Sequence, residues 1–400
     1  MLRVLKLPLV FTGFLLVSSL CAEANEPEKP RQWTDQKGRS LVATLVSAGT
    51  LSVDLRRDDG SIISIPIRQL NEKGQAYIDN WRSRHPESAK ELPSTPWPTT
   101  ISAADNGSIL LQDHNPHTHR WRYRSKHFEL ISNIELPENT ARDIATVFEA
   151  TLAVLQQAPI GIAVTPPENP YRVELYDTQK SYQDAGGTKG SGGQYLPQRN
   201  VMLLALDNLG IENQADQLRL DHENNSFILK HEVTHQILND HAANIPVWLS
   251  EGLAEYIAAA PYRDGTYHFH RMTENLLNYV NKWRFREDPR KIPIVPLEVL
   301  MEMSFPQWRM AVAGNKPYIN YNSAALLAHF FLSDHAPGTP SPVARYLSAI
   351  QDIRETDPRF RRRKSLDLQS QMLLQGRSYQ ELQAEIAEKW LEKNVELIFQ

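Results

Sequence analysis

The pattern of apolar positions predicts two consecutive helices near the middle of the chain. In the first segment, apolar residues recur at helical spacing, at Ile228, Leu229, Val233 and Ile237. The second segment, 247–260, follows Pro246, and proline is favoured at a helix start because its missing N–H would lack a partner there. Its apolar residues are Val247, Leu249, Leu253, Ala254 and Ile257.

Alternation of apolar and polar residues predicts strands nearer the start of the chain. Short alternating runs at 41–46, 51–55 and 62–67 are separated by turn-forming segments that contain glycine. We expect these runs to form a few antiparallel strands within a small separate domain at 31–81. Several prolines follow, and they predict an extended linker at 82–119.

The rest of the chain, 120–400, is predicted to be a second domain of the α+β class. The predicted elements before the helix pair are strands at 121–132, 171–176 and 201–206 and a helix at 138–157. From Phe227 onward nearly the whole chain is predicted to be helical, ending in a helix at 379–395. A small sheet followed by helices is an α+β arrangement.

The first helix of the pair carries His231-Glu232-Val233-Thr234-His235. Residues four apart project from the same face of a helix, so His231 and His235 can bind one metal ion. Glu232 lies one position round the helix, where its carboxylate can serve as a general base without binding the metal. Catalytic zinc commonly has three protein ligands and one open position, so a third ligand is needed.

The second helix of the pair offers two carboxylates one turn apart. If the two helices pack antiparallel, Glu251 completes a site with two histidines and one glutamate. Glu255 can then accept the remaining ring N–H of one ligand histidine. The alternative is a surface helix with two solvated histidines beside an unrelated acidic helix. The apolar pattern argues against it, because partly buried histidines and glutamates are costly without partners.

The histidine pentad and the segment 248–256, Trp-Leu-Ser-Glu-Gly-Leu-Ala-Glu-Tyr, resemble the gluzincin clan of metallopeptidases, and most of all the bacterial peptidase MA-like domains. The resemblance implies a zincin-like catalytic domain that acts on a peptide or protein substrate. It also implies a Zn²⁺ cofactor with His231, His235 and Glu251 as ligands, and Glu232 as the general base.

A further segment, 321–332, is similar to the gluzincin helix whose first tyrosine donates a hydrogen bond to the oxyanion. The resemblance therefore implies this role for Tyr321, with Tyr318 as a rival. The chain departs from the family by lacking the Gly-x-Met-Glu-Asn segment of the aminopeptidases, which favours an endopeptidase. In its place stands a glycine-containing segment, 186–195, predicted to be a flexible loop leading to the strand at 201–206. In gluzincins such a strand borders the cleft, where an edge can bind extended peptide.

The composition is that of a folded protein, with 41% hydrophobic and 22% charged residues. A formal net charge of -4 gives no general electrostatic reason to bind nucleic acid. One basic run, Arg359-Phe360-Arg361-Arg362-Arg363-Lys364, follows Pro358, and we interpret it as a solvated loop.

The first residues predict an extracytoplasmic protein, either periplasmic or secreted. Arg3 and Lys6 precede an apolar run at 7–20 and then Ala22-Glu23-Ala24, which is typical of a cleaved signal peptide at 1–24. The run is short for a bilayer span, and no other segment is suited to one, so no membrane span is expected after cleavage. Lipid anchoring through Cys21, the only cysteine, is the less favoured alternative because Leu20 is large for that motif.

The domain at 31–81 closely resembles the Sla homology domain, a small Src-homology-like β-barrel. The resemblance rests on Arg31-Gln32-Trp33-Thr34-Asp35, Asp59-Gly60 and Ile65-Pro66-Ile67-Arg68-Gln69-Leu70. It implies a module that binds a protein or peptide ligand. A structural cap beside the enzyme is an equally open interpretation.

Two other functions stay open for the second domain. One is a non-catalytic extracytoplasmic scaffold that binds peptides or proteins on a metallopeptidase fold. The other is hydrolysis of a non-peptide amide, such as a cell-wall bond. The peptidase is favoured because a pseudoenzyme often loses its base or a ligand, whereas all four of these positions are present here.

Overall fold

The computed structural model describes residues 29–48, 52–84, 92–93, 96–103, 109–115, 117–118, 120–209, 211–214, 217–220, 226–242, 244–282, 284, 287–333, 335, 338–353 and 357–400. The predicted signal peptide at 1–24, with Cys21, lies outside these described residues. Contacts divide the chain into two units, 1–90 and 91–400. Over the described ranges, no helix combines the length and apolar character needed to cross a membrane.

The first unit is an antiparallel sheet followed by a helix. Its strands are β1 (Arg31–Thr34), β2 (Ser40–Ala48), β3 (Ser52–Arg56) and β4 (Ile62–Pro66), paired in chain order. The alternating runs thus form antiparallel strands, as their pattern predicts. The sequence pattern did not predict helix α1 (Glu72–Arg84), whose Ile78 and Trp81 are buried in one core with Trp33.

The second unit contains a six-stranded mixed sheet. Its strands are β6 (Leu110–Asn115), β7 (Arg120–Arg124), β8 (Phe128–Ser132), β9 (Tyr171–Tyr176), β10 (Gly193–Leu196) and β11 (Val201–Ala205). The spatial order is β10-β11-β9-β8-β7-β6, with β8, β9 and β11 parallel to one another. The single strand predicted at 121–132 is a hairpin, because the Ser125 N–H donates to the Phe128 carbonyl at 3.0 Å and closes a turn.

Part of the segment predicted as a linker, 82–119, belongs to the second unit. Besides β6, it contains β5 (Thr100–Ser102), which pairs with β15 (Thr266–His268), and β15 pairs in turn with β14 (Tyr262–Arg263). The physical reason lies in apolar residues between and after the prolines. The Trp97 ring packs 4.8 Å from that of Phe269, and Ile101 is buried.

The other elements are mainly helices, so the architecture is mixed α/β with several sheets. The helices are α2 (Glu138–Gln157), α3 (Gln179–Asp184), α4 (Ser226–Ala242), α5 (Val247–Ala259), α6 (Met272–Asn281), α7 (Leu297–Glu302), α8 (Phe305–Val312), α9 (Tyr318–Ser333), α10 (Pro342–Gln351), α11 (Pro358–Gln369) and α12 (Tyr379–Leu391), with a π-helical turn at Ser370–Leu374. Two further strand pairs are β12 (Ile211–Gln214) with β13 (Gln217–Leu220), and β16 (Lys291–Ile294) with β17 (Glu396–Phe399).

The C-terminal part of the chain is less helical than its pattern predicts. The helix predicted at 379–395 ends at Leu391. Asn394 then adopts a left-handed backbone conformation with φ 60°, which asparagine tolerates, and the chain continues into β17. β17 pairs in parallel with β16, so residues after 227 also contribute strands.

The basic run at 359–364 lies in α11, so its interpretation as a solvated loop was wrong. The Asp357 side chain accepts a hydrogen bond from the Arg359 N–H at 2.8 Å and caps the helix, which begins at Pro358. Two polar residues further along, Ser365 and Gln369, are buried against the rest of the unit. An apolar pattern cannot reveal a helix that is anchored by buried polar side chains.

Helix α5 packs between α4 and α9, and this packing positions the residues of the candidate site. Gly252 permits the close approach, because a Cβ atom there would lie 2.4 Å from the carbonyl oxygen of Ala324 on α9. Glu251 precedes this glycine directly, and Tyr321 precedes Ala324 by three residues on α9. The separation of α5 and α9 therefore fixes the relation between Glu251 and Tyr321.

Candidate metal centre

Helix α4 holds both histidines at a fixed position because its other side is buried. Leu229, Val233 and Ile237 are buried in the core. Lys230 is also buried, and its Nζ donates to the carbonyl of Ala260 at the end of α5, at 2.8 Å. Burial, with a smaller contribution from Lys282, lowers the pKa of Lys230 to about 7. This hydrogen bond links α4 to the C-terminal end of α5.

Three side chains from the helix pair converge on one point. The Nε2 atoms of His231 and His235 lie 3.1 Å apart. Oε2 of Glu251 lies 3.4 Å from Nε2 of His231 and 3.5 Å from Nε2 of His235. A tetrahedral zinc site with bonds near 2.1 Å separates its ligand atoms by about 3.4 Å. The three donor atoms are therefore spaced as in such a site and could hold a metal ion.

The charges around the site also favour a cation. Burial acts to raise the pKa of Glu251, but His235 and His231 outweigh it and hold that pKa well below its usual range. Burial would lower the pKa of His231, yet the carboxylates of Glu255 and Glu251 raise it well above its usual value. Both shifts show that the buried carboxylates favour a positive charge between them, which a metal ion would supply.

Further polar groups orient the two imidazoles through contacts to their Nδ1 atoms. Oε1 of Glu255 lies 3.0 Å from Nδ1 of His231. Tyr279 on α6 makes a hydrogen bond to Glu255 through its hydroxyl. Oγ of Ser250 lies 3.4 Å from Nδ1 of His235. Each Nδ1 thus faces an oxygen, which leaves each Nε2 directed toward Glu251.

Glu232 lies beside the three donor atoms and is not one of them. Burial raises the pKa of its carboxyl group, and the two imidazoles partly oppose this rise. The edge strand β10 passes close by, since a Cβ atom on Gly193 would lie 2.7 Å from Cγ of Glu232. A glycine at this position therefore gives the glutamate side chain its space.

Tyr321 lies at the site and Tyr318 does not. The Tyr321 ring is 6.2 Å from that of His231, centroid to centroid, whereas the Tyr318 hydroxyl donates to Oε1 of Glu287 at 2.9 Å. Trp308 makes a hydrogen bond to Tyr321. Because an indole N–H can only donate, the Tyr321 oxygen accepts this bond and its own proton stays available for another acceptor. Burial, and then the nearby carboxylates, raise the pKa of Tyr321 well above its usual value.

The candidate site opens into a cleft of about 950 Å³. The edge strand β10 contributes Gly193 to Leu196 to its lining, and the loop before α5 contributes Asn244 and Ile245. The loop that precedes β10 is anchored by side chains: the Gly190 N–H donates to Oε1 of Gln179 at 2.9 Å. An edge strand presents a row of main-chain N–H and C=O groups outward, which another extended chain can pair with.

No protein-family model and no curated protein matches this chain.

The structure brings together every site residue that the sequence predicted, namely His231, His235, Glu251, Glu232, Glu255 and Tyr321. Sequence reasoning missed Tyr279, Trp308 and Ser250. Ser250 directly precedes Glu251, so its place beside the site could have been suspected. The chain carries no comparable signal for Tyr279 and Trp308, which reach the site from α6 and α8.

Proposed function

We propose that the protein is a zinc-dependent endopeptidase of the gluzincin type. One observation carries the proposal: the donor atoms of His231, His235 and Glu251 converge beside Glu232 in an open cleft. The mixed α/β architecture, with its metal site on the α4 and α5 pair, is compatible with a zincin-like domain. The nitrogen and carboxylate donors suit zinc, although other divalent metals accept the same set.

The roles of the side chains follow from their positions. Zinc, when bound, polarises a carbonyl group and lowers the pKa of a water molecule. Glu232 accepts the proton of the attacking water and passes it to the leaving amine, which its raised pKa favours. The Tyr321 hydroxyl donates a hydrogen bond to the oxyanion that forms on the substrate. Glu255 and Ser250 hold the imidazoles in the tautomer that binds metal.

The substrate is proposed to be an extended peptide that pairs with β10. Main-chain pairing at a sheet edge uses backbone hydrogen bonds, which do not depend on the side chains of the bound peptide. All four residues of this strand, Gly193 to Leu196, line the same cleft as His231 and Glu251. The sequence lacks the Gly-x-Met-Glu-Asn segment whose glutamate binds a free substrate amine in gluzincin aminopeptidases, which favours cleavage within a chain.

Two further parts of the proposal concern the rest of the protein. We propose that the enzyme acts outside the cytoplasm, in the periplasm or as a secreted protein, on the basis of the signal-like pattern at 1–24. The antiparallel sheet of the first unit is proposed to be a Sla-homology-type barrel that binds a protein ligand.

The test is to incubate purified full-length protein with an unfolded protein and to measure cleavage and metal content together. Glu232→Gln should retain zinc and lose cleavage, whereas Glu251→Ala should lose the zinc itself. Glu298→Gln, an exposed carboxylate outside the cleft, is the control and should keep both. Full cleavage by Glu232→Gln would refute the assignment of the base. Zinc without cleavage of any peptide would instead favour a binding scaffold, or a hydrolase of another amide.

A further inference from the structure

The cleft carries a positive charge outside the metal site. Among the residues that the structure describes, the charged lining apart from the site itself consists of Arg309, Arg361, Arg362 and Glu302. We call the three arginines the arginine wall. Arginine stays protonated at any physiological pH, so the wall is a permanent cationic surface.

The arginine wall is fixed to the same elements that hold the candidate site. Arg309 follows Trp308, which is buried and packs 5.4 Å from the Tyr321 ring. On α11, Arg361 lies one turn before Ser365, whose hydroxyl donates to the carbonyl of Asn244 at 3.1 Å. Asn244 belongs to the loop that enters α5. The backbone positions that carry the arginines are thus fixed relative to the site.

The two hydrogen bonds given for Glu302, the glutamate that lines the cleft, are not ion pairs with an arginine of the wall. The guanidinium of Arg362 donates to the main-chain carbonyl of Glu302, which is an uncharged partner. Oε1 of Glu302 accepts a hydrogen bond from the Tyr379 hydroxyl at 3.0 Å. Arg309 is exposed. Three arginines and one glutamate give this described part of the lining a formal charge of +2.

Apolar side chains are interspersed with these charges. Phe305 is 61% exposed, and it lines the cleft together with Met303, Pro306 and Leu366. A surface that mixes arginines and exposed apolar groups suits a peptide with both acidic and apolar side chains. A nucleic acid fits less well, because three arginines are few and the whole chain has a net charge of -4.

From this arrangement we infer that the arginine wall selects acidic substrates: peptides that carry aspartate or glutamate near the scissile bond. The inference rests on the proposed function, whose substrate class it specifies. Arginine can hold a carboxylate through two parallel hydrogen bonds, which gives both charge and shape selection. The basic run of α11 thereby acquires a role in substrate selection.

The first experiment is to digest a peptide library with the zinc-loaded full-length enzyme and to read the cleavage sites by mass spectrometry. The best substrate is then made in two forms, with its acidic residues as Glu or as isosteric Gln. The Glu form should have a kcat/KM roughly threefold to tenfold higher, as expected for a few partly exposed ion pairs. The preference should shrink at high salt.

Three variants locate the effect. Arg309→Gln and Arg361→Gln should each reduce the preference for the Glu form. Arg363→Gln removes the same charge from α11 but lies outside the cleft lining, so it should leave the preference unchanged. Equal cleavage of both forms by the wild-type enzyme would overturn the inference and leave the proposed peptidase intact.

A binding measurement separates the inference from the peptidase proposal. The zinc-loaded Glu232→Gln variant is titrated with fluorescent Glu and Gln peptides, and anisotropy gives both affinities. Tighter binding of the Glu form, reduced by Arg309→Gln, supports the arginine wall even if no peptide is cleaved. Equal affinities would contradict it.

Discussion

Oε1 of Glu255 lies 3.0 Å from Nδ1 of His231, so one carboxylate from α5 orients an imidazole of the candidate metal centre on α4. Glu251, one turn earlier on the same helix, approaches the other nitrogen of the same ring at 3.4 Å. Two glutamates four residues apart therefore hold the two nitrogens of one histidine. This relationship explains why the spacing of the two carboxylates matters as much as their presence.

The first prediction concerns the support that Glu255 and Tyr279 give to His231. Glu255→Gln should weaken zinc affinity by about 10-fold to 100-fold, because the neutral amide can still accept a hydrogen bond but lacks the negative charge that raises ligand basicity. Tyr279→Phe should have a smaller effect in the same direction, since it removes only the hydrogen bond to Glu255. Competition with a fluorescent chelator measures both. Unchanged affinity in Glu255→Gln would show that the carboxylate does not act on the metal site.

The second prediction concerns Trp308, which donates a hydrogen bond to Tyr321. Trp308→Phe should lower kcat by about fivefold to tenfold, in line with a lost hydrogen bond of about 1 kcal/mol, and should leave zinc content unchanged. Tyr321→Phe should cost more, on the order of 100-fold. If Trp308 acts through Tyr321, the Trp308→Phe change should have little further effect in the Tyr321→Phe background. Additive losses would contradict that link.

The third prediction concerns the close approach of α5 and α9 at Gly252. Alanine normally stabilises a helix by about 1 kcal/mol relative to glycine. Here its Cβ would lie 2.4 Å from a backbone oxygen, so the overpacking should outweigh that gain and lower the free energy of unfolding by about 2 kcal/mol. Denaturant unfolding measures the change. Gly314→Ala is the control, because its nearest contact would be an ordinary 3.4 Å, and it should be near neutral.

The fourth prediction concerns His329, a buried residue of α9. Burial, and then the charge of Lys393, lower the pKa of His329 to about 4, from 6.5 in its unperturbed state. As the pH falls, the unfolded chain therefore binds a proton at His329 before the folded protein does. The contribution of the neutral histidine to the free energy of unfolding is complete above about pH 6.5 and is lost on acidification toward the folded-state pKa. Between pH 7 and pH 5 the loss should be about 2 kcal/mol.

His329→Gln tests this prediction, because glutamine does not titrate and can still hydrogen-bond to Thr273, the partner of His329. The free energy of unfolding of the variant should fall less steeply over this pH range than that of the wild-type protein. Parallel pH profiles would show that His329 is accessible to protonation in the folded state.

Local pattern predicted the long elements well. Helix α2 at Glu138–Gln157 and strand β9 at Tyr171–Tyr176 have the bounds that their apolar periodicity predicts. Helix α5 also begins and ends near the predicted positions, because Pro246 and the apolar spacing are local signals. The histidine pentad indicated the candidate site, since its spacing already encodes one face of a helix.

Features that depend on distant partners could not be predicted. β5 has three residues, and its partner strand lies more than 160 positions later, so no local pattern distinguishes it from a linker. Tyr279 and Trp308 reach the site only because α6 and α8 pack against α5 and α9. The packing of α11 could not be predicted from an apolar pattern, because the buried face of this helix is polar.

Anomalous diffraction at the zinc edge, from crystals of the purified protein, tests whether α4 and α5 together bind one zinc ion. We expect one peak at about 2.0 to 2.2 Å from Nε2 of His231, Nε2 of His235 and the Glu251 carboxylate. Either no peak between these residues in zinc-replete protein, or a bound zinc with the Glu251 carboxylate turned away, would contradict it.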